Sequence, residues 1–216
     1  MPHTEVDLVL VNGQSVGFSH PLGDGDRVSV YPVFEAFDIS AVTAVRPEPL
    51  RVVGFVADVH LGRLARYLRL AGFDTLYAND CNDGELAQIS REQRRILLTR
   101  DRGLLMRSEV THGYLVRSVH PRDQLREVLE RFDLWRLARP FSRCSLCNGL
   151  IQKVDKDQVA GKVPSRTALF TKDFWRCSSC GKVDWRGTHY ESLVSLLTPP
   201  DATERKTEFP PGPDRP

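Results

Sequence analysis

Arg51-Val-Val-Gly-Phe-Val-Ala-Asp58 is a short apolar strand ending in an acid, and Arg95-Ile-Leu-Leu-Thr-Arg-Asp101 repeats the arrangement. Between them lies Asp83-Gly-Glu85. An open parallel sheet gathers its ligands at the carboxyl ends of its strands. Acids placed there converge, and clustered carboxylates repel one another unless a hard cation sits among them. The pattern points to metal-assisted phosphate chemistry on Asp58, Asp83, Glu85 and Asp101. Each acid taken singly also has a structural reading: Asp83 as a helix cap, Asp58 as a strand-end turn residue.

Outward from these strands the chain alternates strand and helix. Leu61, Leu64, Ala65 and Leu68 fall at i, i+3, i+4 and i+7, one apolar helix face, with Arg63, Arg66 and Arg69 as an adjacent polar stripe. Gly72 is placed to end that helix. Phe73–Tyr77 reads as a second strand, a helix runs through Leu86, Ala87 and Ile89, Arg95–Thr99 is a third strand and Gly113–Val116 a fourth. Residues 121–132 read as a helix with Leu125, Val128 and Leu129 on one face. Repeated β-α units predict an α/β fold, a parallel sheet covered by helices.

The flanks differ. Residues 6–11 read as a strand, Asn12-Gly13 as a hairpin turn, and Gly23–Asp26 as a second turn before the alternating strand Arg27–Tyr31. About fifty residues with so few strands make a poor independent core. Pro47 and Pro49 mark a linker, and a third segment opens near Arg139-Pro140. The predicted units are therefore 1–49, 50–139 and 140–197, followed by a proline-rich charged tail, 198–216, expected to be disordered.

The 216 residues carry a net charge of +2, which hides a partition. Residues 1–50 hold two basic and seven acidic side chains; 51–139 hold sixteen and twelve, every base an arginine; 140–197 hold nine and five. The acidic start repels a polyanion and the two later segments attract one. No apolar run approaches the ~18 residues that span a bilayer, and no basic-then-apolar leader opens the chain, so the expectation is a cytoplasmic protein with no membrane partner.

Four of the five cysteines form two knuckles, Cys144-Ser-Leu-Cys147 and Cys177-Ser-Ser-Cys180. Two such pairs supply a closed tetrahedral set for zinc, with no position left for a catalytic water, so the zinc is expected to be structural. The 29 residues between knuckles exceed the ~15–20 of compact sites, and a hairpin or loop insertion would absorb them. Cys81 is left over without a role. Around the second knuckle stand Lys172, Arg176, Lys182 and Arg186 with Phe174, Trp175, Trp185 and Tyr190, a set that reads either as nucleic-acid contact or, for the aromatics, as the ribbon's own core.

Rival phosphate chemistries lack their residues. There is no Gly-x-x-x-x-Gly-Lys-Ser/Thr loop. Residues 51–139 contain no lysine, as receiver-type phosphoryl transfer would need, and Asp58-Val-His60 is not the Asp-x-Asp of haloacid-dehalogenase chemistry. Arg100 and Arg102 flank Asp101 and are placed to steer a phosphate.

Phe55-Val-Ala-Asp58-Val-His-Leu-Gly62-Arg-Leu-Ala-Arg66-Tyr-Leu-Arg69, then Arg95–Arg102, then the two knuckles, resemble the Mut-seven C-terminal RNase domain family over residues 51–195. The resemblance implies a PIN-like (Rossmannoid) nuclease fold with a zinc ribbon and metal-dependent ribonuclease activity. Asp58 and Asp101 match the family's strand-end acids, and the acidic cluster before the middle helix falls on Asp83 and Glu85, either of which is the ligand. The arginine helix matches the family's most distinctive stretch, implying that Arg63, Arg66 and Arg69 contact substrate or partner. Asp24–Phe34 resembles a ubiquitin-like, sulfur-carrier-type β-grasp domain whose first hairpin and helix are missing, as if Met1 lay inside a longer domain. No Gly-Gly pair occurs in the chain, so thiocarboxylate carriage is not supported.

The expectation is an endoribonuclease in which these acids bind Mg²⁺ or Mn²⁺, four cysteines bind zinc, and the ribbon and arginines grip RNA, with structured RNA such as transfer RNA as the substrate. Cleavage by the two-metal scheme leaves 5′-phosphate and 3′-hydroxyl ends. The alternatives are a non-catalytic RNA-binding ribbon protein with a vestigial acidic site and an inhibitor-paired toxin.

Overall fold

The computed structural model describes residues 3, 6–32, 42–45, 53–159, 161–171, 173–187 and 190–199. The Pro47/Pro49 linker, Arg51 and Val52 of the first aspartate-tipped strand, Lys172, and the tail beyond residue 199 lie outside the described residues.

The chain opens with β1 (Val6–Val11), β2 (Gln14–Val16) and β3 (Val28–Pro32), an antiparallel sheet in the order β2-β1-β3 that fits a β-grasp. Asn12 and Gly13 both take positive φ, 51° and 84°, the backbone a two-residue hairpin turn needs to match strand twist. The Asp26 carboxylate closes the next turn by accepting from Gly23 N at 2.7 Å and Asn12 Nδ2 at 2.7 Å.

The central elements are β4 (Gly54–Ala57), α1 (Gly62–Leu70), β5 (Asp74–Leu76), α2 (Asp83–Glu92), β6 (Ile96–Thr99), α3 (Arg102–Leu105), β7 (Gly113–Leu115) and α4 (Pro121–Arg131). The four strands are parallel, in the order β5-β4-β6-β7. Every residue of β4 and β6 is buried. Strand alternation sorts them: Phe55, Ala57, Ile96 and Leu98 pack with Leu64, Leu68, Leu125 and Leu129 of α1 and α4. Val56 and Leu97 pack with Leu86, Ala87, Leu104 and Leu105 of α2 and α3. Helices thus cover both faces, as parallel pairing requires. From β4 the chain first moves outward to β5, then crosses back to β6 on the other side. The strand order reverses between β4 and β6, the two strands tipped by Asp58 and Asp101.

Helix α1 ends as Gly72 predicts. Phe73 N donates to Leu68 O at 2.9 Å and Gly72 N to Arg69 O at 3.0 Å, while Phe73 and Leu68 share the core, which together form a Schellman cap. At the exit of β7, Glu127 of α4 pins the loop. Its Oε1 accepts from Tyr114 Oη and Arg117 N, and its Oε2 from Ser118 N, each at 2.8 Å. Burial pushes the Glu127 carboxyl up, but the main-chain N–H groups of Arg117 and Ser118 outweigh it and hold the group below its ordinary value. A depressed folded pKa stabilises above the unfolded value of about 4.3 and loses that contribution as pH falls through the folded value. Glu127→Gln is therefore expected to cost stability at neutral pH, with the gap from the parent narrowing in urea titrations as pH falls below the unfolded value and through the folded one.

The C-terminal part contains β8 (Ile151–Val154), α5 (Ser165–Phe170), β9 (Phe174–Cys177), β10 (Val183–Trp185) and α6 (Tyr190–Leu196), with an antiparallel sheet ordered β10-β9-β8. The long gap between knuckles holds β8, a 3₁₀ turn at Lys156–Val159, α5 and most of β9. Phe174 is fully buried as ribbon core, whereas Leu197, after α6, joins the cluster around Phe55.

Candidate functional site

The pairing of β4 with β6 continues one residue past β4, because Asp58 N donates to Leu98 O at 3.0 Å. This draws the Asp58 side chain over the end of β6, where it is 5% exposed. Its Oδ2 accepts from Thr99 Oγ1 at 2.6 Å, and the same Oγ1 accepts from Asp101 N at 2.9 Å. One threonine hydroxyl thus ties together the ends of both acid-tipped strands. Asp101 is exposed and caps α3, its Oδ1 accepting from Gly103 N at 2.7 Å. Neither Asp58 Oδ1 nor Asp101 Oδ2 meets a hydrogen-bond donor among the described residues. Buried polar atoms are nearly always paired, so a buried carboxylate oxygen left open is an unusual feature with a cost.

The middle acids are placed differently from each other. Asn82, not Asp83, caps α2: its Oδ1 accepts from Glu85 N at 3.0 Å, and Glu85 Oε2 accepts from Asn82 N at 2.9 Å. This reciprocal capping box commits one Glu85 oxygen to holding the helix. Asp83 is the first residue of the helix, exposed, with no side-chain hydrogen bond among the described residues. Among the described residues no three carboxylates lie within 4.8 Å of one another; the only such donor set is the four cysteines.

Arg63, Arg66, Arg100 and Arg102 are exposed. Arg69 is not, and the expectation that it contacts RNA is corrected: it is 5% exposed. Its Nε donates to Thr75 O at 2.9 Å, and its Nη1 to Leu146 O at 2.7 Å and Ser145 O at 3.4 Å. The buried face of α1 takes in Arg69, its eighth residue, beneath the first knuckle. Burial lowers the Arg69 pKa, opposed by the negative field of Cys147, Cys144 and Asp74.

The four thiols lie within 4.8 Å of one another, with Cys144 Sγ 3.8 Å from Cys180 Sγ and Cys147 Sγ 3.4 Å from Cys177 Sγ. A zinc–sulfur bond of about 2.3 Å gives a tetrahedral edge of about 3.8 Å, so the set fits structural zinc. Burial would raise the Cys177 thiol, but the N–H groups of Cys180 and Ser179, at 3.5 and 3.4 Å from its sulfur, help bring it down to about 7. Such donors favour thiolate, the metal-binding form. Freshly purified protein is expected to hold about one zinc per chain by elemental analysis, and Cys147→Ser to hold much less. Lys182 is ion-paired with Asp184. Arg186 is exposed and lies over the rings of Tyr190 and Trp175, 5.1 and 5.8 Å from their centroids.

Two family models match the chain. The Mut7-C RNAse domain matches residues 53–197, which takes in the parallel sheet, the aspartate pair and the ribbon. The chain belongs to the Mut7-C RNAse domain family. The Mut7-C ubiquitin model matches residues 1–38. No curated protein and no solved structure matches. A nuclease-type function follows from the RNAse domain, and no helix among the described residues is long and apolar enough to cross a membrane.

Sequence reasoning missed Thr99, Asn82, Asp74 and Asn148. Asn82-x-x-Glu85 was readable as a capping box. Thr99 carried only a weak signal, a hydroxyl ending an otherwise apolar strand.

Proposed function

We propose that this chain is a divalent-cation-dependent endoribonuclease acting in the cytoplasm, with Asp58 and Asp101 as its principal metal-binding carboxylates. The open Oδ1 of buried Asp58, at the strand-order reversal, is the observation that carries this reading. Mg²⁺ is commonly held by one or two carboxylates, its remaining positions filled by water and substrate phosphate, and the pair of open oxygens suits it or Mn²⁺. When bound, such an ion polarises the phosphodiester and supplies an activated water.

The chain's own residues do the positioning. Thr99 holds Asp58 in one rotamer, and Gly103 N does the same for Asp101. Asp83 is the third acid, since Glu85 is engaged in its helix cap. Arg63, Arg66, Arg100 and Arg102 neutralise RNA phosphates, with Arg186 on the ribbon and Lys182 beside Asp184, which gives binding a steep salt dependence. Two basic modules favour a structured RNA, such as transfer RNA, over a short single strand.

The test is incubation of labelled RNA and Mn²⁺ with the parent protein beside Asp58→Asn and Asp101→Asn. Cleavage by the variants at the parent's rate overturns the assignment. Thr99→Val is expected to lose about 10–100-fold in cleavage, as supporting residues of metal ligands do, and Thr99→Ser to restore most of it. The absence of a compact three-acid set among the described residues favours a second reading, an RNA-binding protein with a vestigial site. Salt-dependent binding without cleavage by the parent would establish it.

A further inference from the structure

The parallel sheet has an edge at β5, and an open edge exposes unpaired backbone groups. Here the first knuckle covers it. Thr75 N donates to Asn148 Oδ1 at 3.1 Å, and Thr75 O accepts from Arg69 Nε at 2.9 Å, so two side chains stand where a neighbouring strand would. Asn148 follows Cys147 directly, and its Nδ2 donates to Asp74 Oδ1 at 2.8 Å. Arg143, just before Cys144, approaches Asp74 Oδ2 at 3.6 Å. Every residue of this edge cover is therefore attached to the metal-binding turn or bonded to it.

Arg69 adds a question of charge. A buried guanidinium needs an anion nearby, because an unpaired buried charge is costly. Among the described residues no carboxylate forms an ion pair with it; Asp74, whose charge reaches it, is paired with Arg95 at 2.7 Å and approached by Arg143. What Arg69 does touch is the knuckle, through the carbonyls of Ser145 and Leu146, the two residues between Cys144 and Cys147. Four thiolates around one divalent zinc leave a net negative centre. We propose that Arg69 is the counter-cation of the ribbon's metal–thiolate centre, and that metal occupancy through it fixes the β5 edge of the parallel sheet. The ribbon is then the sheet's edge cover, and zinc loss is felt in the sheet. This holds whether or not the chain cleaves RNA.

Hydrogen exchange on the full chain, zinc-loaded and after chelation, tests the coupling. The expected result is at least about tenfold faster exchange over residues 74–76 on chelation, with a smaller change over 96–99, since an opened edge frees Thr75 N–H first. Deprotection through the whole sheet also supports coupling. Deprotection confined to residues 144–185 overturns it. In competition with a chromophoric chelator, Arg69→Met is expected to bind zinc about 10–100-fold more weakly and Arg69→Lys to recover part of the loss. Zinc affinity within about twofold of the parent in Arg69→Met overturns the counter-cation role. Should Arg69→Met fail to fold, Arg69→Lys and the chelation of the parent decide: a Lys variant that binds zinc measurably more weakly than the parent supports the role of Arg69, one of parental affinity counts against it, and unchanged β5 protection on chelation rejects the coupling.

Discussion

Asp58→Asn is expected to lower RNA cleavage by about 10³-fold while leaving the unfolding midpoint unchanged or higher. The two halves of this expectation have one cause. The amide has the carboxylate's shape, and its oxygen still accepts from Thr99 Oγ1, so the strand ends remain tied. What is lost is a negative charge that is buried, bonded on one oxygen and open on the other. Removing such a charge relieves a desolvation cost, and a site held ready for a cation exchanges stability for function. Asp101→Asn should behave alike in cleavage, and its fold is protected separately, because asparagine is as good an N-cap as aspartate for α3. Cleavage assays in Mn²⁺ and urea unfolding of the same preparations check both. A stability loss of more than about 2 kcal/mol in Asp58→Asn would mean that the carboxylate serves the fold rather than a metal.

The fold was legible where a period or a terminal residue carried it. Continuous apolar runs marked β4 and β6, the i, i+3, i+4 pattern marked α1 and α4, and Asn12-Gly13 marked the hairpin of β1 and β2. Strand bounds are shorter than the apolar runs imply: β5 spans Asp74–Leu76 within Phe73–Tyr77, β7 stops at Leu115, and Asp101, two residues past β6, belongs to the cap of α3. Strand order was not legible at all. Without it Asp58 and Asp101 are merely two acids at strand ends; with it they flank the reversal between β4 and β6, where ligands of open sheets bind.

Roles set by tertiary contact escaped the sequence. Nothing local distinguishes Arg69 from Arg63 or Arg66, since all three sit on one stripe, yet only Arg69 lies where the knuckle arrives from over seventy residues later in the chain. Asp74 and Asn148 are likewise ordinary until the edge of β5 meets the turn after Cys147. The cysteine set was the opposite case. Two Cys-x-x-Cys pairs pointed to a shared centre in spite of the long gap between them, and the four thiols gather in a set that fits structural zinc.

Gly72→Ala is expected to destabilise the protein by about 3 kcal/mol or more, the sum of two effects that meet at this residue. Its φ is +98°, further into the positive region than the left-handed helix, and a side chain there costs about 1–2 kcal/mol on backbone grounds. A methyl group would also collide with Arg139 O, a carbonyl that cannot easily retreat. Arg139 N is bonded to Ala71 O at 2.9 Å and Phe141 N to Leu70 O at 2.8 Å, so the strap over residues 139–141 is fastened on both sides of the collision. That strap leads straight to Cys144, and displacing it moves the knuckle off Arg69. The two costs separate by comparison with Gly161→Ala, where φ is +75° and, chain neighbours apart, no atom of the described residues lies within 4 Å of the added carbon. Gly161→Ala should show the backbone cost alone, and Gly72→Ala that cost plus the collision. Equal losses in urea unfolding would show that the strap yields freely, and that the close packing of helix end against ribbon contributes nothing to the joint.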